Sequence, residues 1–344
     1  MVIFMDNNLI LHIGLPKTGT TSLQRFFIDN KKNMNEAGID YPAFTQQLAV
    51  PTLRNGSFLF KYLKALVHNE DPNSRVKDLE KNITMLADAL HSQKRVLISE
   101  ENLSLGGSWW PKSKYWQELA RFLDNIGAHR STIVIYLRRQ DNWAVSRWKE
   151  NVKNGMDKSF KDWCALNSSR SSMDYSNIIM EIKEVFRNSV NIVVRRYDRK
   201  SFLGGDIFHD FCSAAGIPWK SDYNIPRKEE NVSLTFDVTE AIRSLGTIPY
   251  ESYEYQRIIL PLACKLSQGN PDPLDMSLMT ENESRSFMKA YNTGNQQISD
   301  AYLDGKPLFS TDFTVRSVWK PDVNRIDSYR CAFERAIQSN YNRE

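Results

Sequence analysis

Leu9-Ile10-Leu11-His12-Ile13-Gly14-Leu15-Pro16-Lys17-Thr18-Gly19-Thr20-Thr21-Ser22 is the stretch on which the reading of this chain turns. Leu9 to Ile13 is a short apolar run that ends at Gly14 and predicts a buried strand. From Thr20 the sequence to Gly38 predicts a helix. Leu23, Phe26 and Phe27 share one face at i, i+3, i+4 spacing, and Gly38 supplies a stop. Between strand and helix, Gly14 to Thr21 has the spacing G-x-x-x-x-G-x-T. Two glycines let the backbone turn tightly and aim successive N–H groups inward, and the helix N-terminus adds partial positive charge. Phosphate binding is the expected use. In nucleoside triphosphatases a lysine directly follows the second glycine of such a loop. Here Thr20 stands there, and the lysine is Lys17, inside the loop. That position suits the bridging oxygen of a bound 5′-phosphate group rather than a β/γ pair. No acidic partner for Mg²⁺ stands out, so a metal-dependent kinase fits poorly.

Outward from this stretch, apolar runs recur at Arg95–Ile98, Thr132–Leu137 and Val190–Val194, each a predicted strand. Helical patterns lie between them: broken at Asp71-Pro72-Asn73 within 44–90, over 114–125, and from about Asp141. Trp109-Trp110-Pro111 reads as a loop. Strands alternating with helices predict an α/β fold with a mainly parallel central sheet, whose ligands sit at the carboxyl ends of the strands. Beyond about residue 220 the pattern becomes mostly helical, with loops at 269–273 and 305–307. The expected organisation is a single domain over 1–344. An α/β core spans about 9–220, and a helical cap or acceptor region spans about 221–344.

Composition sets the outer bounds. Of 344 residues, 41% are hydrophobic and 25% charged, which excludes a wholly disordered chain. The net charge of +4, from 45 basic and 41 acidic residues, is too mild for a nucleic-acid partner but compatible with a local basic pocket. Cys164, Cys212, Cys264 and Cys331 form no C-x-x-C pair and read as scattered reduced thiols, with no metal site. No run of about 18 apolar residues implies a transmembrane helix. The N-terminal run is too short and too interrupted by Asp6-Asn7-Asn8 for a signal peptide, so a cytoplasmic protein is expected.

His12 to Gln24 resembles the 5′-phosphosulfate loop of sulfotransferases that use PAPS (3′-phosphoadenosine-5′-phosphosulfate), most nearly the bacterial, carbohydrate-type branch. The resemblance implies a P-loop-type three-layer α/β sandwich. It gives Pro16, Lys17, Thr18, Gly19, Thr20, Thr21 and Ser22 to the 5′-phosphosulfate. Tyr136 to Ser146 is similar to the family's 3′-phosphate element, an arginine at a strand end and a serine eight positions later, here Arg138 and Ser146. Arginine gives a charge-assisted, often bidentate grip on phosphate. Arg139 is the weaker candidate, because adjacent strand residues point opposite ways. Ser99-Glu100-Glu101 resembles a strand-end Ser-x-Glu that supplies the base in carbohydrate-type members. Glu101 is the match by register, and a one-residue slip exchanges it with Glu100.

Arg195-Arg196-Tyr197-Asp198 looks like a further family feature, with Tyr197 either near the nucleotide or packed at a strand end. The resemblance is looser at Phe160, Trp163, Asp174-Tyr175 and 302–309. Trp143 and Trp148 read as helix core, His12 as a hydrogen-bonded structural histidine, and His68, His91, His129 and His209 as surface or packing residues. Tyr41, Phe44, Phe58, Phe60, Trp109 and Trp110 are aromatic candidates for an acceptor pocket. The activity implied is in-line transfer of a sulfuryl group from PAPS to a hydroxyl or amine, leaving PAP. The implied acceptor is a saccharide or glycoconjugate. The alternatives are a P-loop small-molecule kinase and a non-catalytic nucleotide-binding protein on the same fold.

Overall fold

The computed structural model describes residues 8–44, 53–92, 94–109, 112–128, 130–167, 171–226, 233–246, 249, 251–273, 276–313 and 317–341. The elements run β1 (Leu9–His12), α1 (Thr20–Asp29), α2 (Lys31–Glu36), β2 (Ile39–Asp40), α3 (Ser57–Val67), α4 (Pro72–Arg75), α5 (Leu79–His91) and β3 (Arg95–Ser99). They continue with α6 (Asn102–Trp109), α7 (Lys112–Asn125), β4 (Ser131–Leu137), α8 (Gln140–Lys153), α9 (Phe160–Asn167), α10 (Tyr175–Phe186), β5 (Val190–Arg196) and α11 (Ile207–Ala214). The remainder is α12 (Phe236–Ser244), α13 (Leu260–Gly269), β6 (Met276–Ser277), α14 (Glu281–Lys289), α15 (Asn292–Tyr302), β7 (Ser317–Val318) and α16 (Val323–Tyr341).

Five strands form one parallel sheet in the order β2-β3-β1-β4-β5. Side chains alternate across its faces. Leu9, Leu11, Val96, Ile98, Ile133 and Ile135 face a layer holding α3, α5, α7 and α10. Ile10, Leu97, Val134 and Tyr136 face Phe26 and Phe27 of α1 and Phe211 of α11. Helices therefore cover both faces, the three-layer α/β arrangement expected. Each fully buried Leu, Ile or Phe contributes roughly 1.5–3 kcal/mol. β1 sends the chain toward β2, and β4 sends it the other way to β5. The carboxyl ends of β1 and β4 thus flank the point where connections diverge, the ligand crevice of an open α/β sheet.

Packing divides the chain into two compact units. The first comprises 1–139, 170–226 and 291–309 and contains the five-stranded sheet; the second comprises 140–169, 227–290 and 310–344. In the second unit Ser284 Oγ donates to Asp141 Oδ2 at 2.9 Å, and Tyr255 OH donates to the Lys153 carbonyl at 2.6 Å, fastening α8 at both ends. Trp143 and Trp148 are buried on that helix, as expected. The second unit also holds the two-stranded parallel pair β6–β7, unforeseen in the sequence.

Three local expectations change. The helix from Thr20 to Gly38 breaks at Asn30, whose side-chain amide donates to the Phe26 carbonyl at 2.9 Å and to the Asn224 carbonyl at 2.7 Å. A contact made from 194 residues away is invisible to periodicity. Ile39–Asp40 is an added edge strand. Trp109 ends a helix, α6, rather than lying in a loop, while Trp110 and Pro111 fall outside the described residues.

Candidate functional site

The loop after β1 turns through two left-handed residues. Gly19 has φ +78°, as its left-handed turn requires, and Lys17 adopts φ +70° without being glycine. A left-handed conformation costs an L-residue roughly 1–2 kcal/mol. It persists only where the surroundings impose it, and such positions concentrate at functional sites. Thr18 Oγ1 donates to the Leu15 carbonyl at 2.5 Å and closes the turn from within. Gly19 gives α1 no side-chain cap, and the first turn of α1 holds no acidic residue. The positive end of the helix dipole is therefore neither capped nor neutralised by its own side chains. Pro16, Thr18 and Thr20 are buried, Lys17, Gly19 and Ser22 half-buried, and Thr21 exposed.

A buried polar layer lies under the loop. His12 Nδ1 and Ser99 Oγ are hydrogen-bonded at 2.9 Å across the β1–β3 pair, and Gln24 Nε2 donates to Ser99 Oγ at 3.2 Å. This is the hydrogen-bonded structural histidine expected. Its Nε2, like Thr20 Oγ1, has no partner among the described residues. Both crowd Gly14, where a Cβ would lie 2.8 Å from His12 Nε2, 3.1 Å from Thr20 Oγ1 and 3.2 Å from Thr18 Oγ1. Gly14→Ala is therefore expected to cost about 1–3 kcal/mol of stability. Chemical denaturation of the variant beside the parent reads that loss.

Burial pushes the His12 pKa from 6.5 down to about 3. The unfolded chain then binds a proton that the folded chain refuses. Stability on this account is full above about pH 6.5 and is lost progressively as pH falls toward 3. His12→Gln should flatten that slope, which approaches roughly 1.4 kcal/mol per pH unit. An unchanged slope in denaturation at stepped pH would place the proton uptake elsewhere.

At the end of β4, one guanidinium N–H of Arg138 donates to the Lys17 carbonyl at 3.1 Å. The guanidinium also lies 5.7 Å from the centre of the Tyr197 ring, and Tyr175 OH donates to the Arg138 carbonyl at 2.8 Å. Tyr197 packs on the loop from the other side: a Cβ on Gly19 would sit 3.0 Å from its Cε2. Its backbone N–H extends the β4–β5 ladder to the Leu137 carbonyl at 2.7 Å. Below it, the buried Asp210 accepts from Tyr136 OH at 2.6 Å and from Arg195 Nε at 3.0 Å, which fixes the ends of β4 and β5. Lys17, Gly19, Arg138 and Tyr197 are thus gathered within the first unit. Ser146 is half-buried on α8, in the second unit.

At the end of β3 the two glutamates separate. Glu100 is buried, its carboxylate accepting from Ser57 Oγ at 2.9 Å and the Asn102 N–H at 3.0 Å, with Arg54 Nη1 at 3.5 Å. Glu101 is half-buried, and its carbonyl accepts from Ser104 Oγ at 2.8 Å. The same Ser104 Oγ lies 3.4 Å from the Gly14 carbonyl, so the first turn of α6 abuts the loop between β1 and α1. Asn55 grips the strand end, donating to the Leu97 carbonyl and accepting from the Ser99 N–H, each at 2.8 Å. Asn55 carried no signal in the sequence, and Gln24 entered only as the last residue of the stretch that resembles a 5′-phosphosulfate loop. Among the aromatic candidates, Tyr41, Phe44 and Phe58 are core, whereas Phe60 lines a cleft beside Glu100. His68 and His91 are exposed, and His209 stacks on Trp219 at 4.6 Å; His129 lies outside the described residues. All four cysteines are free. No helix among the described residues is long and apolar enough to cross a membrane.

Fold and site define an α/β protein with an uncapped strand–loop–helix element backed by an arginine from the neighbouring strand. No family model matches the chain, and no solved structure matches it. It is similar to an uncharacterized protein of Archaeoglobus fulgidus, 28% identical over 198 residues. That match covers 56% of this chain and 51% of the relative, so the chain spans about half the length of the curated relative it matches.

Proposed function

We propose that the protein is a PAPS-dependent sulfotransferase acting on a saccharide or glycoconjugate. The observation that carries the reading is the loop itself. A lysine in a left-handed conformation is set inside it, and the Arg138 guanidinium holds that lysine's carbonyl. In the proposed step an acceptor oxygen attacks the sulfur of the donor in line. The new S–O bond forms as the bond to the bridging phosphate oxygen breaks, and PAP leaves with that electron pair. Lys17 meets the charge growing on the bridging oxygen. Glu101 takes the acceptor proton. The uncapped start of α1 and the hydroxyls of Thr20, Thr21 and Ser22 hold the 5′-phosphosulfate. Arg138 holds the 3′-phosphate. A cytoplasmic setting accords with four free thiols.

Calorimetric titration with PAP, beside ATP and Mg²⁺, tests the donor class. Tight PAP binding without Mg²⁺ and weak ATP binding are expected. Preference for Mg²⁺–ATP would replace this reading with a kinase. Because Arg138 also braces the loop, Arg138→Ala should weaken both PAPS and an analogue lacking the 3′-phosphate. PAPS should lose roughly tenfold more, about the worth of one charge-assisted contact. Equal losses would confine Arg138 to bracing.

A further inference from the structure

Beside Glu100 lies a cleft of about 510 Å³ whose wall includes Arg54, Phe60, Lys61, Lys64, Arg75 and Glu100. It opens at the carboxyl end of β3, and Glu101, the proposed base, sits in sequence between two of its lining residues. Ser57, Lys61 and Lys64 fall at i, i+4, i+7 on α3 and so share one face of that helix. The other face, with Phe58, Leu59 and Leu63, is buried in the core.

Four basic side chains meet one carboxylate in this cleft, and the pairing among them is uneven. Arg75 is held bidentate by Glu70 at 2.6 and 2.7 Å. Glu100 is answered by Arg54, Ser57 and the Asn102 N–H, so its charge is spent within the wall. Lys61 and Lys64, both half-buried, form no ion pair within 4 Å among the described residues, although Glu70, held by Arg75, is also within electrostatic reach of Lys64. Two ammonium groups one turn apart repel each other, a modest cost to the helix that a bound anion would remove. Clefts lined by one sign of charge concentrate ligands of the opposite sign.

We propose that this cleft binds an anionic group of the acceptor, which makes the acceptor an acidic saccharide bearing carboxylate or sulfate. Lys61 and Lys64 hold that group, Phe60 lies against the sugar, and the reacting hydroxyl is presented to Glu101. The proposal takes the word acceptor from the sulfotransferase reading, while the anion site stands on the cleft alone.

Titration calorimetry on the full chain tests it with an oligogalacturonate, a sulfated oligosaccharide, the oligogalacturonate with its carboxylates reduced to alcohols, and inorganic sulfate. Both charged oligosaccharides should bind at least about tenfold tighter than the reduced one, with an affinity that falls as salt rises. In the Lys61→Gln, Lys64→Gln double variant that preference should vanish while PAP affinity is retained, which also reports an intact fold. Equal binding of the reduced oligosaccharide overturns the proposal. So does an unaffected double variant, or no binding of either charged oligosaccharide. Inorganic sulfate binding as tightly as the oligosaccharides reduces the cleft to a simple ion site and overturns the acceptor claim. Wild-type protein that takes no PAP yet keeps the charge preference would sink the sulfotransferase reading and leave the anion site standing.

Discussion

Lys17→Gly should slow sulfuryl transfer by roughly 10²–10³ while leaving the protein about as stable as the parent. Two terms offset each other in its stability. Glycine relieves the left-handed strain at φ +70°, worth roughly 1–2 kcal/mol, and loses about 0.5–1 kcal/mol through the greater freedom of the unfolded chain. The midpoint of chemical denaturation should therefore stay within about 1 kcal/mol of the parent. The Lys17 carbonyl, which Arg138 grips, is backbone and survives the substitution. What disappears is the ammonium group proposed to meet the leaving oxygen, and loss of one such preorganised contact costs roughly 10²–10³ in turnover. Lys17→Ala removes the same charge but keeps the strained backbone. It should match the glycine variant in rate and fall below it in stability. Near-normal turnover in either variant removes Lys17 from the mechanism.

Glu101→Gln should lower turnover by roughly 10²–10⁴, the usual worth of a general base, and leave PAP affinity unchanged. Glu100→Gln should do the reverse. Its carboxylate is 1% exposed and fully engaged by Ser57, Asn102 and Arg54. Replacing one oxygen by an NH₂ group turns an acceptor into a donor inside that network, at a cost of about 1–3 kcal/mol in stability. Its turnover at a temperature where it is folded should remain close to the parent's. A slow, stable Glu100→Gln beside an active Glu101→Gln would exchange the two roles.

The two glutamates also mark where sequence reading stopped. Spacing placed both at the end of a strand, and both are there. Which carboxylate is spent on structure depends on Ser57, 43 residues earlier, and on Arg54, and no local pattern announces those partners. The same holds for Asn30, whose bond to Asn224 breaks a helix that periodicity alone would continue to Gly38. Tyr41, Phe44 and Phe58 were open to either reading from the sequence. An aromatic residue in a polar stretch is equally consistent with a pocket wall and with core, and burial decided for core.

The sequence by itself determined the alternation of apolar strands and amphipathic helices, hence a parallel sheet covered on both faces. It also determined the strand–loop–helix at Gly14–Thr21, because two glycines and a buried strand restrict the backbone locally. Tertiary structure decided everything that needs two distant segments at once. It set the order β2-β3-β1-β4-β5, which puts the ends of β1 and β4 at the point of divergence. It brought Arg138 and Tyr197 onto the loop, left Glu100 buried and Glu101 half-exposed, and gathered Lys61 and Lys64 at the cleft. Local patterns encode dihedral preferences and the face each element buries. Hydrogen bonds and ion pairs between elements are chosen only when the layers pack, by which polar groups would otherwise be buried without partners.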